Sequence, residues 1–465
     1  MPTFYDFAGT LVDLFQNGFL ARQLEEGLDT YMAYRRHATE IMVDGRIGSQ
    51  ITIPRVGRKG PVTVALNAAG LTANLDNSLS PSLPAIETYA LTLMEWGDTA
   101  DVDLIGSTAA AADLVKMASR TNGVQAAQSI ERLAKIAYHT AYEGGNTWVR
   151  GDLSGTTLTT IRVDDVRGFL TVPVNGVPTP VSSLNPLPCY EMRTTPGGFN
   201  QQFNVTGVTI DNPNVSLYPY SSLDGNGNPI PDGISGVLAI SGATNIPAGG
   251  DAIIAANAAK VVRPFNKPSY NILNSGDAAT LGTLLDSKTR LEQNAVPTMR
   301  DYTYHYLYNP AVMRQLLADQ QFIVAYAARK DSEEIKSGQI FVIFGITFIP
   351  TTEAYVQAAN PLLGIKTTIR RSIMIGDEAL LQADYAGLEM YLNVDGLDPL
   401  GGVMMVNGVA QIIRPPIDRM LRVLSLTWTW VGAFVAPTDA TATPLIIPTA
   451  SNALYKRACV IQTAG

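Results

Sequence analysis

Apolar and polar positions change rhythm several times along this chain. Near the start, Leu11, Leu14 and Phe15 recur at helical spacing, as do Leu20, Leu24 and Leu28, with Gly18 and Gly27 interrupting. These patches are too small for a core of their own, so residues 1–45 are expected to pack on a neighbour. From residue 50 the texture turns to strands. Ile51 to Pro54 reads as a short strand, and Gly57-Arg58-Lys59-Gly60-Pro61 as a turn. Val62 to Pro84 has no period, and Ile86 to Trp96 is a long strand of mixed polarity. Two strands joined by a long low-charge connection predict an extended hairpin. Such a hairpin is poorly stable alone and needs a surface to lie on. Residues 107–143 then read as one helix, capped by Ser107 or Thr108 and closed by Gly144-Gly145. Leu114, Met117 and Ala118 share a face, and after Asn122-Gly123 the row resumes as Ala127, Ile130, Ala134, Ala137 and Ala141. So many alanines on one face favour close, flat packing.

Between residues 150 and 270 the helical signal fades. Short β-rich runs appear at 160–163, 169–174, 203–210 and 236–240, separated by Gly, Pro, Asn and Ser clusters such as that at 224–233. Ala252 to Lys260 is the one stretch there that reads as a helix. Mixed texture returns from 276 to 435. Leu281, Leu284, Leu285, Lys288 and Leu291 share a helix face, and Val312 to Ala328 predicts a second helix. Residues 340–349 and 369–375 are buried-strand candidates. Leu424, Leu426, Trp428 and Trp430 alternate within a further strand at 421–434. Helices and strands segregated in this way predict an α+β fold with a β-rich insertion.

Length and charge narrow the picture. A chain of 465 residues exceeds one ordinary core. Only 16% of residues are charged, which suits a protein much of whose surface is covered by partners. The net charge of −8 comes with no basic run, so a phosphate-gripping nucleic-acid binder is excluded. Cys189 and Cys459 lie far apart and read as two buried thiols in preference to a disulfide. The N-terminal residues lack a signal-peptide pattern, and no run of about eighteen apolar residues predicts a membrane span.

No constellation suggests chemistry. The three histidines, His37, His139 and His305, do not share metal-ligand spacing, and HExxH, CxxC, Walker A and GxSxG motifs are absent. Asp224-Gly225-Asn226-Gly227-Asn228 begins like a calcium loop. It fails at Pro229, where Gly is required, and at Ser235, where Glu is required. Asn204 and Asn214 stand in glycosylation-type triplets without a secretion signal to give them meaning. Asp164-Asp165 and Glu333-Glu334 read as solvated surface charge. Tyr302, Tyr304 and Tyr306 read as one side of a half-buried strand. No catalytic, cofactor-binding or metal-binding residue is expected, and the chain is not read as an enzyme.

The ordered set of segments nevertheless resembles a known family: the major capsid proteins of tailed bacteriophages, with the Hong Kong 97-type fold. Residues 1–48 resemble that family's N-terminal arm, 49–100 its extended loop, and 101–150 a peripheral domain with a long spine helix. LLDSKTRLEQNAVP, ending at Pro297, resembles the helix that leads into the axial domain. Tyr308-Asn309-Pro310 through Leu316, Gly338-Gln339-Ile340, Phe344 to Ile349 and Arg371 to Ala379 resemble axial-domain elements. The implied division is 151–270 as a β-rich insertion, 271–300 as a peripheral helix, 301–425 as the axial domain, and 426–465 as a return to the peripheral domain and a tail. The resemblance implies a virion shell of hexamers and pentamers around double-stranded DNA, assembled in a bacterial cytoplasm. It implies no cofactor, no membrane, and only non-specific DNA contact. Expected partners are further copies of the chain, portal and scaffolding proteins, and a decoration or cement protein. The extended loop is expected on a neighbouring subunit, with Arg55, Arg58 and Lys59 pairing acidic groups there and Glu87 and Glu95 as further contact residues. An encapsulin-like compartment shell, a β-rich phage tail or adhesin protein, and an enzyme with an unrecognised site are the alternatives.

Overall fold

The computed structural model describes residues 19–28, 33–43, 50–56, 86–103, 111–151, 154–174, 177–194, 200–211, 235–294, 296–327, 342–359, 365–385, 403–414, 423–436 and 456–465. They fall into two units. The first comprises Met1–Thr52, Ala90–Ala137 and Leu380–Ala436; the second comprises Ile53–Tyr89, Tyr138–Ala379 and Pro437–Gly465.

In the first unit, helix α1 (Phe19–Leu28) packs on helix α2, which runs for 32 residues from Ala111 to Tyr142. The helix runs unbroken through Asn122-Gly123, in keeping with the single helix read there. The Asn122 side chain is buried and donates to the Leu426 carbonyl at 3.0 Å. A Cβ on Gly123 would stand 2.7 Å from the Leu24 carbonyl oxygen, and one on Gly27 would stand 2.8 Å from that of Arg120. Each helix therefore has a glycine where the other's backbone passes.

Both helices cover a sheet. Its order is β1 (Thr39–Val43), β18 (Leu381–Tyr385), β21 (Val423–Val435), β20 (Val409–Arg414) and β19 (Val403–Val406), with β4 (Met94–Asp103) also paired to β21. The pairing β1–β18 is parallel and the others antiparallel. The alternation read in β21 is realised. Trp428 and Trp430 point inward to Leu24, Leu28, Ala126, Ala127 and Ile130, while Leu424 and Leu426 join Val102 and Ile413. Burying one such indole is worth about 4–6 kcal/mol by area. The arm differs from expectation: α1 and β1 pack within their own chain, because Leu24 and Leu28 complete this core. Between them, the Glu131 carboxylate accepts the backbone N–H groups of Ala33, Tyr34 and Arg35 at 2.8, 2.6 and 3.1 Å.

The second unit holds two six-stranded sheets. One is antiparallel, ordered β5 (Asn146–Trp148), β12 (Ala252–Ala255), β9 (Leu187–Met192), β10 (Gln201–Ile210), β11 (Gly236–Ser241) and β6 (Thr160–Val163). Inward residues of these strands, including Ile161, Val163, Leu187, Cys189, Phe203 and Leu238, form its core. The helix expected at 252–260 is instead strand β12. Ile253 and Ile254 are β-branched, and β5 and β9 hydrogen-bond it on both sides. A hairpin of β7 (Thr171–Val174) and β8 (Val177–Pro180) stands apart in the pairing.

The other sheet is ordered β14 (Val342–Ile343), β15 (Ile346–Pro350), β13 (Tyr304–Tyr308), β17 (Ile369–Ile375) and β16 (Val356–Gln357), with β22 (Ala458–Ala464) along β17. β13 and β15 run parallel. Helix α3 (Leu281–Gln293) begins in a capping box between Thr280 and Thr283. The single helix expected over 312–328 is two, α4 (Pro310–Leu316) and α5 (Gln320–Ala327). Asp319 makes the break. One carboxylate oxygen accepts from Gln321 N at the start of α5 and the other from Leu281 N at the start of α3. Tyr304, Tyr306 and Tyr308 are buried, whereas Tyr302 lies outside the strand and is exposed.

The structure groups the later segments differently from the boundaries expected. Residues 301–425 divide at Leu380, and β22 joins β17 in the second unit, because these strands hydrogen-bond along their whole length. Helix α3 likewise belongs to the second unit. The α+β class stands, with helices and strands segregated along the chain.

Candidate functional site

Among the described residues a dense collection of charge lies inside the second unit, and of its members the sequence reading weighed only His139 and Asp164 for chemistry. Strand β17 carries Arg370-Arg371 amid isoleucines, so strand alternation turns one arginine inward. Arg371 is buried. Its Nε lies 2.6 Å from Glu143 Oε1, and a terminal nitrogen donates to Gln357 at 2.7 Å. Glu143 follows the last turn of α2 and also meets His139 Nδ1 at 3.1 Å. Gln462 of β22 donates to the same carboxylate and accepts from Arg263 Nε at 2.6 Å. The Arg371 guanidinium sits 5.0 Å from the centre of the Tyr270 ring. Tyr270 in turn donates to Asp164, which pairs with Arg150 at 3.4 Å.

Burial raises the pKa of the Glu143 carboxyl, but Arg371 and His139 outweigh it and hold the value at about 2. Asp164 moves the other way, because burial outweighs the help of Tyr270 and Arg150. A general base active near neutral pH needs a pKa close to 7, which Glu143 lacks. These residues tie the end of α2, the antiparallel sheet and strands β17 and β22 to one another. They form a structural clasp.

The solvated reading of Asp164-Asp165 is overturned. Both are buried, and Asp165 pairs with Arg167 at 2.6 Å. The sequence signal was there: the pair is bracketed by Val163 and Val166, both core residues. Glu333-Glu334 and the segment Asp224–Asn228 lie outside the described residues, as do Asn214 and Gly338–Ile340.

The histidines are placed as structural groups. His37 Nδ1 lies 2.6 Å from the Ala33 carbonyl, and His305 pairs with Asp301 at 2.9 Å. The edge of the His139 ring meets Tyr355 at 4.6 Å between centroids. Cys189 and Cys459 are free buried thiols in β9 and β22. Burial pushes the Cys459 thiol up to about 11 and Cys189 higher still. Among the described residues no group of three His, Cys, Asp or Glu is placed to hold a metal ion. No described helix is long and apolar enough to cross a membrane.

Of the expected contact residues, Arg58 and Lys59 lie outside the described residues. Arg55 lies on β2 (Gln50–Val56) and Glu87 on β3 (Ile86–Thr92), which together form a separate two-stranded sheet. Glu95 is on β4, exposed, and accepts from the Thr429 hydroxyl at 3.1 Å. The fold thus brings Arg55 and Glu87 onto one ribbon and puts Glu95 on β4 of the first unit's sheet.

No family model matches this sequence, and no curated protein does. Solved structures similar to the chain are phage capsids. The capsid of Ralstonia phage GP4 aligns with a TM-score of 0.48 at 10% identity, covering 92% of this chain and 87% of that one. The cyanophage Pam1 capsid aligns with a TM-score of 0.45 at 8% identity, covering 90% and 86%. The mature capsid of bacteriophage PhiM1 aligns with a TM-score of 0.42 at 10% identity, covering 92% and 86%.

Proposed function

We propose that this chain is the major capsid subunit of a tailed bacteriophage, forming hexamers and pentamers of an icosahedral shell around double-stranded DNA. One observation carries the reading: the order in which the chain visits its two units. An arm and a two-stranded ribbon precede a 32-residue helix. The chain then builds the second unit, and returns to the first at Leu380 through β18 to β21. That order supports reading the first unit as peripheral and the second as axial, the course that the resemblance implied. The ribbon supports the reading further. Two strands are marginal alone and become useful when a neighbour supplies a surface.

In this reading Arg55, Arg58, Lys59, Glu87 and Glu95 belong to subunit contacts, and heterologous contacts close into rings. Portal, scaffolding and decoration proteins are the expected partners, and packaged DNA is met without sequence preference. Negative-stain microscopy of the purified chain is the test. Capsomer rings or icosahedral shells are expected. A monodisperse monomer under all assembly conditions would refute the proposal, and particles filled with protein cargo in place of DNA would make it a compartment. Reversing Arg58→Glu and Lys59→Glu together is expected to abolish shells. Unchanged shells would remove the ribbon from the contact.

A further inference from the structure

Three aromatic residues of the second unit stand in water on left-handed backbone. Phe265 has φ 56 and is 84% exposed, Tyr302 has φ 59 and is 88% exposed, and Phe344 has φ 52 and is 48% exposed. Left-handed backbone disfavours bulky L-residues, and an exposed ring forgoes its burial. The molecule contains its own comparison. The two-residue turn between β19 and β20 is Asn407-Gly408, with φ 51 and 78; that between β14 and β15 is Phe344-Gly345, with φ 52 and 72. Both are turns that need positive φ twice, for which Asn-Gly is the favoured filling. Only one turn has it.

Phe344 and Phe265 flank helix α3. On one side Lys288 Nζ donates to the Phe344 carbonyl at 2.8 Å. On the other, Asp286 and Arg290 of α3 line a cleft of about 280 Å³ with Lys260 and Asn266, the residue after Phe265. Two cations, Lys260 and Arg290, share this cleft with one carboxylate, Asp286. Burial and the nearby Arg290 lower the pKa of the Lys260 ammonium against the opposing effects of Cys459 and Asp286, and an incoming carboxylate would favour the ammonium further.

We propose that the surface of α3 between Phe344 and Phe265 is a contact face for a second copy of this chain, whose carboxylates enter the Lys260–Arg290 cleft. Charge complementarity selects that occupant. The chain carries 41 acidic against 33 basic side chains, so a neighbouring copy offers an excess of carboxylates to a cleft whose two cations outnumber Asp286. Aromatic rings and arginine are the residue types that anchor such contacts. The inference deepens the shell reading and rests on it for the ring that the contact would help to close.

The test compares the full chain with Phe265→Asn/Phe344→Asn, Phe344→Tyr and Lys260→Glu/Arg290→Glu, by thermal unfolding, sedimentation and negative stain. Asn relieves the backbone, so the double Asn variant should melt about 2 °C or more higher. Its self-association should weaken at least about tenfold, as for loss of one aromatic anchor. Phe344→Tyr should associate like the parent, and the charge-reversed variant should associate weakly. Parent and double Asn variant forming shells equally well would overturn the inference and leave the shell reading intact. A parent that forms small oligomers but no shells, with monomeric Asn variants, would uphold the inference and remove the shell. A parent monomeric at every concentration would overturn both. A lowered melting temperature in the Asn variant would also overturn the inference, since the rings would then be packed within the chain.

Discussion

Glu143→Gln removes one charge from the clasp and little else. The amide keeps the volume and can still bond to Gln462, but Arg371 loses its anion at 2.6 Å inside the second unit. The Glu143 carboxyl sits at about 2 against an ordinary 4.5. At about 1.4 kcal/mol per pKa unit, that difference makes ionised Glu143 worth about 3 kcal/mol to the folded state. Breaking a buried pair by removing one partner costs about 3–5 kcal/mol, which agrees. The sign follows from the depressed pKa. The contribution is fully present above pH 4.5 and disappears as pH falls toward 2. Urea unfolding followed by far-UV circular dichroism at pH 7, 4.5 and 3 is the assay. The variant should be about 3 kcal/mol less stable at pH 7, with the gap narrowing as pH falls below 4.5. A gap under about 1 kcal/mol at pH 7, or one that does not change with pH, would refute the assignment of Glu143 as the anion of this clasp.

Glu131→Gln weakens the carboxylate that receives three backbone N–H groups of residues 33–35. A loss of about 1.5–3 kcal/mol is expected, read as faster amide exchange at those positions. Gly123→Ala would gain about 1 kcal/mol of helix propensity in isolation. Here its methyl meets the Leu24 carbonyl at 2.7 Å, so the unit should lose about 1–3 kcal/mol, with α1 becoming sensitive to protease. Ile461→Ala empties a fully buried site on β22 and should cost about 2–5 kcal/mol in chemical unfolding.

Much of the fold was legible where one periodicity ran long enough to average out its exceptions. The alanine row located α2, and alternation of Leu and Trp located β21. Where the signal was local, tertiary contacts prevailed. Ala252–Ala255 is alanine-rich enough to suggest helix, yet its place between β5 and β9 makes it a strand. Asp319 looks like one more helix-surface residue until its two caps are seen. Asp164-Asp165 was misread because acidic pairs are ordinarily solvated. Their apolar flanks, like those of Arg371 within β17, marked them as inward-facing charges. The division at Leu380 had no local sign in the sequence, because it depends on which distant strand each segment pairs with. The ribbon strands were visible as extended runs, but the first reaches past the expected Pro54 to Val56 and so takes in Arg55, and the single strand expected over 86–96 is two, β3 and β4.

The first unit is assembled from three stretches, the last of which, Leu380–Ala436, follows the second only after the long run from Tyr138 to Ala379. The Ser425–Asp101 and Thr429–Glu95 bonds that join β21 to β4 link positions 324 and 334 apart. Helices α1 and α2 are therefore synthesised long before the strands whose tryptophans cover them. Closing loops of that size is slow, and apolar surface stays open meanwhile. On α2, the Ala126, Ala127 and Ile130 stripe must wait for Trp428 and Trp430. A nascent chain is thus unable to present a finished first unit until β21 has emerged. The interval before β21 emerges is therefore when the open stripe is most exposed to wrong contacts and a folding helper would be needed most.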